Sequence, residues 1–389
     1  MLDNIQDHNV YNLGAGFSKD AGAPLIHDFL DRAREFYDNP DSALDCQERE
    51  QFERVFKFKR EVAKAREKFR IDLDNVEQLF GLVEMSQRLE SASPATRDAT
   101  VYLIAKTLQL ALTDSSIRPQ VRMGLARDYA PQASFIPYVH PQAGGEVFDT
   151  DIYTHFALLL SGKYDDQKKL ASRSNTAITF NYDLIVDDAL SRVGAKPGYE
   201  LADAVFDEPN QNSTAVPLLK LHGSTNWAIC ECNRIQVLGQ KVTSNPEMFR
   251  SMRCSKCQKP GLRLLLVPPS WDKSDYSQIM RPVWKKAVEA IKTATRICVI
   301  GYSMPETDAF FKFLLALGLA ENDRLYKLIV VDWVPGGPSP QQENTTEARW
   351  RGMLEGLFVG RRFEFCPRGF AEFIRSSIQY LLRRGEQIS

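Results

Sequence analysis

Short apolar runs alternate with helical patterns through the second half of the chain, and this alternation constrains the fold most. After a first run at residues 9–13, the runs fall at Ala177–Phe180, Leu218–Leu221, Leu264–Val267, Ile297–Ile300 and Leu328–Val331. Helical patterns follow at 183–193, 276–293, 306–320, 344–356 and 369–384. Strands that are apolar throughout are buried on both faces, and intervening helices allow parallel pairing. The sequence therefore predicts an α/β fold with a Rossmann-like parallel sheet.

A long helical pattern interrupts this alternation after the first strand. Apolar residues recur there at spacings of three and four, with charged residues between them. We therefore expect a discontinuous Rossmann-like domain, residues 1–28 plus 171–389, and a mainly helical insertion at 29–170. A chain of 389 residues is long enough for this division.

Local signals give more detail within the insertion. Asp74 is a candidate N-cap for a helix over Val76–Leu89. Residues 114–145 are rich in proline and contain a Gly-Gly pair, so we expect an irregular connection there. A further helix is predicted over Val147–Leu160.

Charge and composition limit the partners of the chain. The formal net charge is -1, which gives no global attraction to nucleic acid or to anionic membranes. Basic residues cluster between Lys57 and Arg70, but glutamates interleave with them; this favours a solvated helix face over a nucleic-acid patch. No signal pattern and no apolar run of about 20 residues is present, so we expect a cytoplasmic protein without a membrane anchor.

A glycine turn, Gly14-Ala15-Gly16-Phe17-Ser18, follows the first strand. Glycines let a backbone approach phosphate closely, and a helix that starts near Asp20 offers N–H groups and a positive dipole. Lys19 stands where the dinucleotide fingerprint G-x-G-x-x-G has its third glycine, so the usual dehydrogenase motif is absent. A tight strand-to-helix turn that binds nothing is the alternative.

Polar residues stand at four later strand ends, where sites in open parallel sheets lie. Asn181 and Asp183 follow one strand, and an amide there can orient a water or a ribose hydroxyl; a helix N-cap is the alternative. His222 follows the next strand and can accept a proton near neutral pH, or make a structural hydrogen bond. The last two ends carry the possible nucleotide contacts Gly301, Ser303 and Asp332, with turn and cap chemistry as the alternative.

Four of the seven cysteines fall in one short stretch, Cys230-Glu-Cys232 and Cys254-Ser-Lys-Cys257. Two close pairs at this separation predict a zinc-ribbon-like module over residues 228–266. Four thiolates leave no open coordination position, so the zinc would be structural. A degenerate ribbon with free thiols is the alternative, because one residue between the first two cysteines is fewer than usual.

Taken together, these segments resemble the sirtuin superfamily. The shared features are Gly-Ala-Gly-x-Ser with Pro24 after it, Thr-x-Asn-x-Asp, Leu-His-Gly-Ser, a cysteine ribbon and Gly-Tyr-Ser, in the family's order and over about 230 residues. The resemblance implies an NAD-binding domain that detaches nicotinamide. It places the nicotinamide ribose at Asn181, Asp183 and His222, and the rest of the dinucleotide along Gly14–Ser18, Gly301, Ser303 and, more loosely, Asp332.

Departures from the protein-deacylating sirtuins narrow this resemblance. Those enzymes continue the glycine motif with Asp-Phe-Arg, whereas Pro24 is followed here by Leu25-Ile26-His27. Phe180 and Tyr182 stand where deacylases usually have glutamine and isoleucine. The chain looks more like the prokaryotic sirtuin-like NAD hydrolases of anti-phage defence. That resemblance implies a homo-oligomer that works with a HerA-type ATPase partner.

The expected activity is therefore NAD+ hydrolysis to nicotinamide and ADP-ribose, with Asn181 and His222 as the catalytic residues. Two alternatives stay open at this point. The first is an NAD-dependent protein deacylase, and the second is a non-catalytic module that binds NAD or ADP-ribose and signals to a partner. Direct action on nucleic acid is a weaker third possibility because of the nearly neutral net charge.

Overall fold

The computed structural model describes residues 7–69, 71–91, 93–113, 122–126, 136–139, 146–162, 174–201, 204–206, 214–239, 249, 251–268, 276–304, 309–333, 345–354 and 362–374. The strands are β1 (His8–Leu13), β2 (Arg122–Ala126), β3 (Ile136–Val139), β4 (Glu146–Asp151), β5 (Ser174–Thr179), β6 (Ala195–Gly198), β7 (Val205–Phe206), β8 (Thr214–Lys220), β9 (Gly223–Ile229), β10 (Ile235–Val237), β11 (Arg263–Leu266), β12 (Arg296–Ile300), β13 (Lys327–Val331) and β14 (Arg362–Cys366). The helices are α1 (Ala15–Ser18), α2 (Phe29–Asp38), α3 (Cys46–Phe69), α4 (Val76–Arg88), α5 (Pro94–Thr113), α6 (Ile152–Leu160), α7 (Ile185–Arg192), α8 (Ser277–Thr293), α9 (Ala309–Ala320) and α10 (Thr345–Leu354).

A seven-stranded sheet in the order β14-β13-β12-β1-β5-β8-β6 forms the centre of the fold. All of its pairings are parallel, as the alternation of strands and helices predicts. Every residue of β12 and β13 is buried, so both faces of the sheet are covered. The α/β fold class is therefore confirmed.

The chain reverses its direction across this sheet at β1. From β1 it proceeds through β5 and β8 on one side, and it then returns to place β12, β13 and β14 on the other side. Such a reversal opens a crevice at the carboxyl ends of the two strands that flank it, here β1 and β12. The fold thus provides a ligand crevice at the glycine turn.

One predicted strand belongs to a different sheet. The run Leu264–Val267 forms β11, which pairs antiparallel with β9 in a four-stranded sheet of order β11-β9-β10-β7. A short run buried on both faces looks the same in either kind of sheet. The prediction that all five later runs join the parallel sheet was therefore wrong for this one.

The helices α2 to α5 form a layer with its own apolar core, built from residues such as Phe52, Leu79, Phe80 and Leu103. Asn75, rather than the predicted Asp74, caps α4: its Oδ1 accepts hydrogen bonds from the backbone N–H groups of Glu77 and Gln78, at 2.9 and 3.1 Å. The carboxylate of Asp74 instead pairs with Lys59 at 2.6 Å. Among the residues that the structure describes, no helix is both long enough and apolar enough to cross a membrane.

A three-stranded antiparallel sheet, β2-β4-β3, lies inside the range predicted to be mainly helical. The stretch 114–145 contains β2 and β3, so its described part is not purely irregular. Pro137 is tolerated in β3 because that strand is at the edge of the sheet. The helix predicted from Val147 begins at Ile152, because Asp151 ends β4 and caps α6 through the N–H groups of Tyr153 and Thr154.

The helix α6 packs against the parallel sheet rather than against the helical layer. The Phe156 ring meets Tyr11 of β1 edge-on, with ring centroids 5.4 Å apart. This helix lies within residues 29–170, so part of that range contributes to the core of the parallel sheet. The exact division into domains stays a prediction.

Candidate functional site

The sequence-predicted site residues follow five neighbouring strands of the parallel sheet, at its carboxyl edge. In spatial order, they follow β8 (His222), β5 (Asn181, Asp183), β1 (Gly14–Ser18), β12 (Gly301, Ser303) and β13 (Asp332). Four spacings between adjacent strands, each about 4.8 Å, span roughly 19 Å. This edge is therefore long enough for an extended ligand such as a dinucleotide.

The glycines of the turn are required by close packing between two backbones. A Cβ atom on Gly14 would lie 2.4 Å from the carbonyl oxygen of Gly301, and a Cβ atom on Gly16 would lie 2.8 Å from the Cα of Gly301. Gly301 itself has φ +61°, and a Cβ there would lie 2.2 Å from the backbone nitrogen of Phe17. The turn after β1 and the turn after β12 can thus touch only because all three positions lack a side chain.

Three backbone N–H groups of the turn are bonded within the protein. Gly14 donates to Ile300, Gly16 donates to Gly301, and Phe17 donates to Gly14, at 2.9 to 3.0 Å. The helix expected to start near Asp20 starts instead at Ala15, within the turn, and this helix, α1, has four residues only. The N–H groups of Gly14, Gly16 and Phe17 are therefore not free to bind a phosphate, contrary to the expectation for this turn. The turn residues that line the cleft are Ala15 and Ser18.

The side-chain amide of Asn181 is held in one orientation. Its Nδ2 donates to the carbonyl oxygen of Gly14 and to Ser18 Oγ, both at 2.9 Å. The hydroxyl of Ser18 in turn donates to Asp183 Oδ2 at 2.7 Å. A flipped amide would place Oδ1 against the Gly14 oxygen, so the network fixes the amide. The Oδ1 atom is then the atom of the Asn181 side chain that is left for a ligand.

Asp183 accepts hydrogen bonds that hold neighbouring residues of the site in place. Its Oδ1 accepts a hydrogen bond from the N–H of Ile185 at 3.1 Å, which caps the start of α7, and its Oδ2 accepts the hydrogen bond from Ser18. Burial raises the pKa of the Asp183 carboxyl, and the Lys220 ammonium and the Ser18 hydroxyl oppose this rise. Since both oxygens have protein partners, capping and support describe this residue better than a direct contact with ribose.

His222 lies in the two-residue turn between β8 and β9, and only 3% of its surface is exposed. Its ring lies near the rings of Phe180 and Tyr182, with centroid distances of 5.8 and 6.3 Å. The next residue, Gly223, has φ +84°, and a Cβ there would lie 2.0 Å from the oxygen of Leu265. The glycine of Leu-His-Gly-Ser therefore lets the histidine turn pack against β11.

One cleft, whose empty space together with the open solvent at its mouth is about 850 Å³, brings most of the predicted residues together: Ala15, Ser18, Asn181, Asp183, His222, Gly301 and Ser303 all line it. Phe180, which also lines it, stacks on Tyr302 with centroids 4.1 Å apart. Asp332 lies at the end of β13 and is not among the described residues that line the cleft. Its Oδ1 accepts the N–H of Trp333 at 3.1 Å, and burial raises the pKa of its carboxyl.

The second wall of the cleft comes from the helical layer, which the sequence did not predict to be part of the site. The residues that it contributes are Phe29 of α2, Val76, Glu77 and Phe80 of α4, and Ile104 and Leu108 of α5. Most of them are apolar at helical spacing, and that pattern does not distinguish a cleft wall from a core. Glu77 adds a carboxylate opposite the strand ends.

The four cysteines form one cluster, with all four sulfur atoms within 4.8 Å of one another. The Sγ atoms of Cys230 and Cys257 are 3.5 Å apart, and those of Cys232 and Cys254 are 3.6 Å apart. Tetrahedral zinc with Zn–S distances of about 2.3 Å requires sulfur atoms about 3.8 Å apart. The cluster therefore fits the predicted structural Zn²⁺ site.

Local backbone geometry supports this donor set. The N–H of Lys256 donates to Cys254 Sγ at 3.4 Å. Burial opposes ionisation of the Cys254 thiol, but backbone N–H groups from Cys257 and Lys256 prevail and lower its pKa to about 6. A thiolate is the form that binds zinc. The cluster also packs against the core of the helical layer, so a metal there would tie the two together.

Comparison with known proteins finds matches among solved structures only. No family profile matches this sequence, and no curated protein matches it. Solved Sir2 structures do match. Sir2Tm bound to a propionylated peptide matches with a TM-score of 0.39 and 12% identity, over 96% of this chain and 92% of that one. A structure on the mechanism and regulation of Sir2 enzymes matches with a TM-score of 0.40 and 13% identity, over 98% of this chain and 100% of that one. A Sir2 complex with a p53 peptide and NAD+ matches with a TM-score of 0.36 and 11% identity, over 96% of this chain and 92% of that one. At TM-scores of 0.36 to 0.40 these matches carry no conclusion about the fold, activity, substrate or partner of this chain.

Proposed function

We propose that this chain is an NAD+ hydrolase, which binds NAD+ along the carboxyl edge of the parallel sheet and releases nicotinamide and ADP-ribose. The observation that carries the proposal is the placement of Asn181 and His222 in one cleft. The Asn181 amide is fixed so that its Oδ1 is left for a ligand, and His222 lies almost entirely buried in the same wall.

The chemistry assigned to these residues is an attack by water on C1′ of the nicotinamide ribose. The bond between C1′ and the nicotinamide nitrogen breaks, and its electron pair leaves with nicotinamide as the ring becomes neutral. Water forms the new C1′–O bond, and its proton passes to His222, directly or through a ribose hydroxyl. Asn181 Oδ1 accepts a hydrogen bond from the water or from a ribose hydroxyl.

The order of the strands sets the direction of the bound dinucleotide in this proposal. Its nicotinamide ribose lies at the ends of β5 and β8, beside Asn181 and His222. Its phosphates cross the switch point between β1 and β12, near Ser18 and Ser303, and its adenosine extends toward Asp332. The apolar wall from the helical layer limits the access of water to the reacting end.

The biological role that we propose is depletion of NAD+ in bacterial anti-phage defence, by a homo-oligomer that works with a HerA-type ATPase. The support for this role is the sequence resemblance described above. In particular, Leu25-Ile26-His27 replaces the Asp-Phe-Arg of the deacylases. An NAD+ hydrolase must also be restrained in its host, and a partner ATPase is a suitable source of that control.

The test is to incubate the purified chain with NAD+ and to measure nicotinamide and ADP-ribose by liquid chromatography, with and without a HerA-type ATPase and with and without an acylated peptide. His222→Gln and Asn181→Ala are compared with His8→Gln. His8 lies on the opposite edge of the sheet, where its ring nitrogens contact Thr293 and Thr176 at 2.9 Å. General-base catalysis contributes about 100- to 10,000-fold, so the His222 variant should lose activity in that range.

Three results would contradict the proposal. Release of nicotinamide only when an acylated peptide is present would assign a deacylase. Binding of NAD+ without any product, with the ATPase present, would assign a non-catalytic module. Equal rates for the wild type and the His222 variant would remove His222 from the mechanism.

A further inference from the structure

A buried lysine lies behind the two segments that carry Asn181 and His222. Lys220 is the last residue of β8, and 1% of its surface is exposed. Its Nζ donates to the carbonyl oxygen of Asp183 at 2.6 Å and to Ser224 Oγ at 2.7 Å, and it lies 3.1 Å from Asp187 Oδ2. Two of the three ammonium donors are therefore hydrogen-bonded, and the contact with the Asp187 carboxylate is an ion pair.

These contacts add a side-chain link between segments whose backbones already meet, since the N–H of Thr225 donates to the carbonyl oxygen of Tyr182 at 3.0 Å. Asp183 lies two residues after Asn181, and Ser224 is the second residue of β9, directly after the turn that carries His222. Asp187 belongs to α7, which anchors the ammonium from behind. The Lys220 side chain therefore contacts the segment that carries Asn181, the strand that follows the His222 turn, and the helix α7.

The network continues beyond the lysine and is fully enclosed. The Tyr199 hydroxyl donates to Asp187 Oδ1, and burial, followed by the charge of Asp187, raises the pKa of Tyr199 well above its ordinary value. The hydroxyl of Ser224 donates to Asn226 Oδ1 at 2.7 Å. A neutral side chain in place of Lys220 would leave the carboxylate of Asp187 buried without its cation, a costly state.

We propose that Lys220 is a positioning residue for the reaction: its buried ammonium sets the placement of Asn181 relative to His222. This inference rests on the proposed function, because it assigns those two side chains to one reaction. Lys220 does not line the cleft, so it acts through its neighbours. Its loss should therefore change turnover more than binding of NAD+.

The kinetic test compares Lys220→Met with Lys327→Met. Lys327 is also buried and paired, with its Nζ 2.6 Å from Glu364 Oε2, but it begins β13 at the amino edge of the sheet. A misplacement of about 1 Å can cost about 100-fold in rate, so kcat of Lys220→Met should fall by about that factor with KM nearly unchanged. Lys327→Met should keep the kcat of the wild type per folded molecule.

Histidine NMR supplies a readout that does not depend on activity. The chain has five histidines, and the ring signal of His222 is identified by its loss in His222→Gln. Ring currents from Phe180 and Tyr182 shift this signal. Lys220→Met, or Ser224→Ala if the first variant does not fold, should move the His222 signal and leave that of His8 in place.

The outcomes separate this inference from the proposed function. A wild type that releases no nicotinamide refutes the proposed function, while the position of the His222 signal still tests the role of Lys220. An active wild type whose Lys220→Met variant keeps both its kcat and its His222 signal refutes the positioning role. Equal loss of kcat in the Lys220 and Lys327 variants would show that Lys220 only stabilises the fold, and this result also refutes the positioning role.

Discussion

Replacement of Gly301 by alanine tests the packing that holds the two halves of the crevice together. This residue has φ +61°, and its new Cβ would lie 2.2 Å from the nitrogen of Phe17 and 2.4 Å from the carbonyl carbon of Gly16. Both neighbours are backbone atoms, which cannot rotate away. The turn after β1 and the turn after β12 must therefore separate to accommodate one methyl group.

Two costs contribute to the destabilisation. A left-handed conformation costs a non-glycine residue roughly 1–2 kcal/mol. Overpacking typically costs about 1–3 kcal/mol in addition, so Gly301→Ala should lower the free energy of unfolding by roughly 2–5 kcal/mol. Since 1 kcal/mol shifts the Tm of a large protein by about 2 °C, the expected decrease is roughly 4–10 °C.

The assay is differential scanning calorimetry, with Gly352→Ala as the matched control. A Cβ on Gly352 in α10 meets nothing within 4 Å, so alanine there should raise stability by about 0.5–1 kcal/mol through helix propensity. Under the proposed function the Gly301 variant should also lose NAD+ hydrolysis, because this residue lines the cleft. A Gly301→Ala protein as stable as the wild type would show that the two turns do not pack as described.

Three further predictions concern the metal, a proton and a helix cap. Cys254→Ser should remove one equivalent of zinc, measured by mass spectrometry of the metal, whereas Cys46→Ser at an exposed position should retain it; equal zinc in both would refute the site. Burial, and then the charge of Arg324, lowers the pKa of His8 from 6.5 to about 4. Its neutral form therefore stabilises the fold above pH 6.5, and this contribution is lost as the pH falls toward 4; His8→Gln should lose less stability over that interval in urea titrations. Asn75→Ala should cost about 1 kcal/mol of stability because it removes the cap of α4, and Asn75→Asp should not.

The placement of the site could be predicted because motif residues follow strands. Asn181, His222 and Gly301 each follow a buried apolar run, and parallel strands bring their carboxyl ends to one edge. The order of the strands made the edge continuous. The fold class followed from the same alternation, because fully apolar strands require cover on both faces.

The remaining features depend on contacts between distant segments, which local patterns do not contain. The close approach of Gly14 to Gly301 appears only when β1 and β12 are neighbours. Phe80 and Leu108 line the cleft, yet at helical spacing they look like core residues. Lys220 stands beside the histidine motif, but a lysine at a strand end indicates solvent unless its partners are known. Local signals also misplaced the cap of α4 by one residue.

The central position of β1 has a consequence for the timing of synthesis. His8 of β1 is bonded to Thr295, which is 287 positions later in the chain. At 5–20 residues per second, a ribosome takes roughly 15–60 s to make the intervening segment. During that interval the glycine turn exists without the Gly301 side of the crevice. A nascent or prematurely terminated chain therefore has no complete cleft, and the proposed NAD+ hydrolysis would start only after most of the chain has been translated.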